Sequence, residues 1–216
     1  LNTRKLVRFF LSTFFLGGLV GLMTSFFVKA EDYAQYLSPF NLWELFGLVM
    51  FFLGIGFVFS AVSQTGFFAY LFLNRLGLGI FRIYWPTVQV VLIAFVIFDL
   101  VYFPARAMED VSVFWFILMA LAILGYGWVV ASIKAKETKR SAFIPALFLM
   151  VAITTVEWIP GMQVEGTDYA ILMIFPLLAC NTYQLLMLHR LQGDEPAKEG
   201  TGKQKNTPAK VKPGKA

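Results

Sequence analysis

The sequence predicts an all-α, polytopic membrane protein: a bundle of about six transmembrane helices with both termini on the cytoplasmic side. Three observations lead there. The chain is 58% hydrophobic and 14% charged over 216 residues, whereas soluble domains run near ~45–50% apolar and ~25% charged. A chain of this size cannot hide that much apolar surface inside a soluble core. Its apolar residues also fall in runs of the length that crosses ~30 Å of hydrocarbon, about 20 residues of helix. Finally, the basic residues alternate with those runs, as the positive-inside rule requires.

The first span is expected from Phe9 to Val28. Arg4, Lys5 and Arg8 precede it, and no small-residue cleavage site closes it in "SFFVKAED". It therefore reads as a retained anchor rather than a cleavable signal, whose apolar region is about 7–15 residues. Gly17 and Gly21 form a small-x-x-x-small pair in this span. That spacing lets another helix approach closely, within the chain or in a second copy as a homo-oligomer.

The second span is expected from Leu45 to Ser63 and the third from Thr87 to Phe103. Between them "QTGFFAYLFLNRLGLGIFRIYW", residues 64–85, is too apolar for an ordinary cytoplasmic loop. Arg75 and Arg82 are seven residues apart and share a helical face beside Asn74. The pattern suits a helix lying in the inner interface with its basic stripe at anionic headgroups, with a re-entrant segment as the competitor. Gly66, Gly77 and Gly79 argue against one long regular helix. Pro86 suits a first helical turn, where its missing N–H costs nothing.

The fourth span is expected from Ser112 to Ile133, the fifth from Ala142 to Ile159 and the sixth from Tyr169 to Leu188. Pro145 and Pro176 are kink candidates in the last two. With the N-terminus inside, nine Lys and Arg fall in inner segments, seven more in the C-terminal tail, and only Lys29 and Arg106 outside. That is sixteen of the eighteen basic residues on one side. Residues 1–190 thus read as the transmembrane domain. Residues 191–216, rich in Gly, Pro and Lys and poor in apolar residues, read as a disordered basic cytoplasmic tail.

The net charge of +5 does not imply nucleic acid, because the charges lie outside the apolar runs and form no face. The expected surroundings are the lipid bilayer, with anionic lipids at the cytoplasmic side. One Cys and one His exclude an internal disulfide and His-pair zinc sites. No phosphate loop, serine elbow or kinase motif set is present, so neither an enzyme nor a cofactor is expected.

The polar residues within spans carry what chemistry there is. Asp99 lies four residues before the end of span three. An intramembrane acid is a functional candidate, but one this near the boundary also reaches water or headgroups, and that reading is favoured. Glu157 precedes "WIPG", with Thr154 one turn away. Trp158 reads as an interfacial belt residue, which sets Glu157 at headgroup depth. A shared outer pocket of Asp99, Glu157 and Arg106 is a further option. Asn181 and Gln184 are three apart and share a helical face. They are expected to hydrogen-bond between helices, with Gln89 as a candidate partner. His189 reads as an exposed boundary residue. A small transporter or channel using Asp99 and Glu157 is the competing function class.

The stretches "NTRKLVRFFLSTFFLGGLVGLMTSFF", "LFGLVMFFLGIGFVFSAVSQTGFFAYL", "NRLGLGIFR" and "VVLIAFVIFDLVYF" together resemble the KinB-signalling pathway activation protein family, KbaA, of endospore-forming bacteria. The likeness extends more weakly to about Arg190 and carries no catalytic motif. It implies a multi-pass cell-membrane regulatory protein that activates a membrane sensor histidine kinase of the KinB type. That kinase feeds the phosphorelay that starts sporulation.

Overall fold

The computed structural model describes residues 3–37, 40–107, 111–163 and 167–193. Among these residues no β-strand forms, and the architecture is a helix bundle. The expected basic tail from residue 194 onward lies outside the described residues.

Helix α1 runs Thr3–Val28 and the short α2 Ala30–Leu37. Helix α3 runs Leu42–Phe81, α4 Trp85–Ala107 and α5 Val113–Glu137. A composite rod follows: a 3-10 turn at Arg140–Ala142, α6 at Phe143–Phe148, a π-helical segment at Leu149–Ile153, and α7 at Thr154–Met162. Helix α8, Thr167–Gly193, closes the bundle. Five stretches are long and apolar enough to cross a membrane, and the 65-residue Leu42–Arg106 stretch contains both α3 and α4. Each of the six expected spans falls on its own rod of this set, Ser112 being the N-cap of α5.

The expected break in regular helix after Gln64 is not found. Helix α3 continues unbroken to Phe81, 40 residues in all. At ~1.5 Å per residue it is about 60 Å long, twice the hydrocarbon thickness. Gly66 and Gly77 do not end it because packing outweighs their cost of about 1 kcal/mol each. Gly66 lies against the Glu157 carboxyl and Gly77 against the Trp85 indole, where a Cβ would collide. Helix α3 ends instead at Arg82, whose φ of 48° turns the chain.

Beyond that turn α4 folds back on α3. Trp85 Nε1–H donates to Asn74 Oδ1 at 2.8 Å, and Gln89 Nε2 donates to the same oxygen at 3.4 Å. Gln89 therefore pairs with Asn74, not with Asn181 or Gln184: the α3–α4 hairpin brings residues 74 and 89 together first. Arg75 and Arg82 are both exposed.

Two packing layers hold the rest. Helices α1, α3 and α8 form one close-packed trio. Gly17, Gly18 and Gly21 of α1 face Ser60, Phe57 and Gly56 of α3, and a Cβ at Gly21 would stand 2.6 Å from Gly56 Cα. The small-residue face of α1 is thus filled within the chain. Helices α4, α5 and α6 pack around the π segment, whose Leu149, Met150 and Val151 are fully buried. Outside, the bundle is coated with apolar side chains such as Phe27, Trp43, Phe95 and Trp128, all exposed. Apolar surface on that scale marks faces that contact lipid or other protein.

Candidate functional site

Buried polar side chains are most concentrated in one place. Where α3, α7 and α8 meet, five side chains join in a continuous hydrogen-bonded chain. The π segment sets its first member. Thr154 Oγ1–H donates to Leu149 O, five residues back, at 3.1 Å. One turn further on, Glu157 presents its carboxyl on the same side. Helix α8 supplies Asn181 and Gln184 from one face, because residues three apart on a helix are neighbours. Helix α3 supplies Ser63.

Asn181 Nδ2 donates to Glu157 Oε2 at 2.7 Å and to Thr154 Oγ1 at 2.9 Å. Asn181 Oδ1 accepts from Ser63 Oγ at 2.8 Å, and Ser63 Oγ accepts from Gln184 Nε2 at 2.8 Å. All five residues are buried, Glu157 at 7% exposure and the other four at 0%. Glu157 Oε1 and Gln184 Oε1 have no hydrogen-bond partner, and neither do Thr155 Oγ1 and Gln89 Oε1.

A second polar layer lies beside the first. Ser60 Oγ donates to Thr13 O of α1 at 2.9 Å, and Gln64 Nε2 reaches Ser60 Oγ at 3.3 Å. The Cys180 thiol lies 3.6 Å from Thr13 O and 3.7 Å from Ser60 Oγ. These bonds satisfy polar groups that would otherwise face hydrocarbon.

Read from the sequence, Glu157 sits at headgroup depth; in the fold it points into the bundle. Trp158, expected in an interfacial belt, is 4% exposed and donates its Nε1–H to Ala170 O at 2.7 Å. The reason is rotational: the α7–α8 hairpin turns both side chains inward, and span edges carry no information about rotation. Asp99 behaves differently. It is half-buried on α4 and makes no hydrogen bond or ion pair among the described residues. Arg106 stacks over the Tyr102 ring, 5.4 Å from its centroid. The structure does not bring Asp99, Glu157 and Arg106 into one site.

A family described as KinB-signalling pathway activation in sporulation matches residues 17–191. That range contains every member of the first polar chain. The chain belongs to the KbaA family. The KinB-signaling pathway activation protein of Bacillus subtilis (strain 168) is 38% identical to it over 192 residues, covering 87% of this chain and 97% of that relative. No solved structure matches the chain.

This KbaA-family chain also carries a charged cluster that the sequence reading missed. The Lys134 ammonium donates to Leu185 O at 2.7 Å and lies 2.8 Å from His189 Nδ1. His189 Nε2 is 3.2 Å from Glu137 Oε2, and Arg190 Nη2 lies 2.6 Å from Glu137 Oε1. His189 is therefore a half-buried link between α5 and α8, not an exposed boundary residue. The Lys134–Glu137 spacing was visible, but nothing local says that α8 lies against it. At another corner Lys29 and Asp168 pair at 2.8 Å. Bonding to Asp168 raises the Lys29 pKa above the ordinary lysine value. Among the described residues no group of three or more His, Cys, Asp or Glu could hold a metal ion.

Proposed function

We propose that this KbaA-family chain is a multi-pass protein of the cell membrane that activates a KinB-type sensor histidine kinase. It acts on the kinase by contact with its transmembrane segments, and the kinase in turn feeds the sporulation phosphorelay. The observation that carries this reading is the family match across residues 17–191, joined by the 38% identical Bacillus subtilis relative.

Physical features favour an accessory role over an enzymatic one. The links between helices are short, leaving no room for a catalytic domain among the described residues. The apolar coat of the bundle suits lipid and a partner's transmembrane helix alike. The basic asymmetry supports a reading with both termini, Arg75 and Arg82 at the cytoplasmic side, near anionic headgroups. Helix α3 is long enough to leave the hydrocarbon there and offer residues 64–85 as a contact. The Gly17–Gly21 face packs against α3 within the chain, which favours its use inside the bundle over a contact between copies.

The test is a phosphorelay reporter in a strain lacking this protein, with the KinB-type kinase as sole input. Output should fall, and return when another kinase supplies the phosphoryl group. Unchanged output would refute the activator role. Replacing Arg75 and Arg82 together, at normal protein level, tests the inner contact: unchanged signalling removes it.

A small transporter or channel remains the second reading, and the burial of Glu157 among polar partners is what favours it. Asp99 lends it nothing, having no described polar partner. Asp99→Asn should leave signalling intact; abolished function would move transport to the front.

A further inference from the structure

Ionisable side chains gather a second time where the end of α5 meets the end of α8. His189 stands there between two groups of opposite charge. Its Nδ1 is 2.8 Å from the Lys134 ammonium, and its Nε2 is 3.2 Å from Glu137 Oε2. An ammonium has hydrogens to give and no lone pair. Nδ1 therefore accepts, the ring hydrogen stands on Nε2, and Nε2–H donates to the Glu137 carboxylate. Passing the shared proton from Lys134 to Nδ1 would leave an imidazolium against a neutral amine. Either way the Lys134–His189 pair holds a single positive charge.

A second proton does not fit this geometry. It would set an Nδ1–H against the ammonium at 2.8 Å, two like charges with no acceptor between them. Lys134 is poorly placed to turn to water: it is 9% exposed, and its ammonium is tied to Leu185 O at 2.7 Å. The imidazole is 23% exposed, so water can deliver the proton. Lys134 and Glu137 from α5 and Arg190 from α8 are the charged groups acting on it. A carboxylate, ordinarily titrating near ~4.3, keeps its charge while a histidine titrates, and Arg190 Nη2 holds Glu137 at 2.6 Å.

We propose that Lys134, His189 and Glu137 form a proton-operated latch between the ends of α5 and α8, closed while the Lys134–His189 pair carries one positive charge and opened when it carries two. Little else of this kind joins the two helices. Among the described residues their remaining side-chain bond is Tyr126 to Thr182 at 2.9 Å, about two turns away. Lys134 and His189 directly follow the expected ends of spans four and six, Ile133 and Leu188. The latch therefore stands at a membrane boundary, where acid would free the last turns of α8 from α5 and leave the rest of the bundle packed. This inference does not rest on the signalling reading.

His189 is the one histidine of the chain, so its ring can be read without assignment. The test uses the full chain in detergent micelles, free of any histidine tag, with ¹⁵N in the imidazole. Near pH ~8 its nitrogen spectrum should show the neutral Nε2–H form. An Nδ1–H form there would overturn the proposal. Nitroxides are then placed through Lys136→Cys and Gln192→Cys, with Cys180→Ser, and their separation is followed by pulsed electron paramagnetic resonance from about pH 8 to 5. The distance should widen with the same midpoint as imidazole protonation, and should stay fixed in His189→Gln. A distance unchanged through full protonation would refute the latch. Widening retained in His189→Gln would also refute it and assign the motion to another group, Glu157 first. If His189→Gln does not fold, Lys134→Met decides: removing the ammonium should raise the imidazole midpoint by about one pH unit, and an unmoved midpoint overturns the pairing.

Discussion

Replacing Asn181 by Leu changes its shape little but cuts the polar chain in two. The residue donates to Thr154 and Glu157 and accepts from Ser63, three bonds in all. Interhelical bonds within membrane bundles average about 0.6 kcal/mol each, so their direct loss is about 2 kcal/mol. The substitution also removes the sole described donor to Glu157, leaving a buried carboxyl unmatched at a further cost of about 1–3 kcal/mol. The expected total is about 3–5 kcal/mol. Reversible unfolding in mixed micelles, read by tryptophan fluorescence or circular dichroism, measures it. A double-mutant cycle tests the reasoning more sharply than the single value. Adding Glu157→Leu to Asn181→Leu removes the stranded group, so the double variant should be more stable than Asn181→Leu alone. Replacing both partners by apolar groups is often close to neutral, whereas orphaning one is not. Simple additivity of the two losses would refute the claim that Glu157 depends on Asn181. So would a cost below about 1 kcal/mol for Asn181→Leu, the size of an isolated interhelical bond.

Two further outcomes follow from the packing. A side chain at Gly56 would meet Gly17 O and Gly18 Cα at 2.7 and 2.8 Å, whereas Gly54 has nothing within 4 Å. Gly56→Ala should therefore lower stability by about 1–3 kcal/mol through overpacking, while Gly54→Ala, two residues away, should be neutral or raise it by up to ~1 kcal/mol. Equal effects in thermal unfolding would contradict the α1–α3 contact. Asn74→Leu should strand the Trp85 N–H and loosen the α3–α4 hairpin, at about 1–3 kcal/mol. Faster amide exchange confined to residues near the turn would report it; unchanged protection there would count against the pin.

Much of this protein was legible in its sequence. Apolar run length located all six rods, because hydrocarbon thickness imposes a one-dimensional constraint on any chain that crosses it. The sharing of one helical face by Asn181 and Gln184, and by Thr154 and Glu157, followed from helical period alone. Which way those faces point did not. A helix that is apolar on every side has no polar stripe to mark its outer face. The rotation of each rod is then set by where small residues let backbones approach, as Gly21 does against Gly56, and by which polar groups find partners. That is why Glu157 was expected at headgroup depth and its side chain turns into the bundle, why Gln89 pairs with Asn74, and why Gly56, Gly66 and Gly77 of α3 mark contacts instead of ends. The π-helical segment is likewise a tertiary decision, since "LMVAI" has no local reason to leave the α register. The family resemblance and the number of long rods came from the chain in one dimension; the buried polar chain exists only where three helices converge.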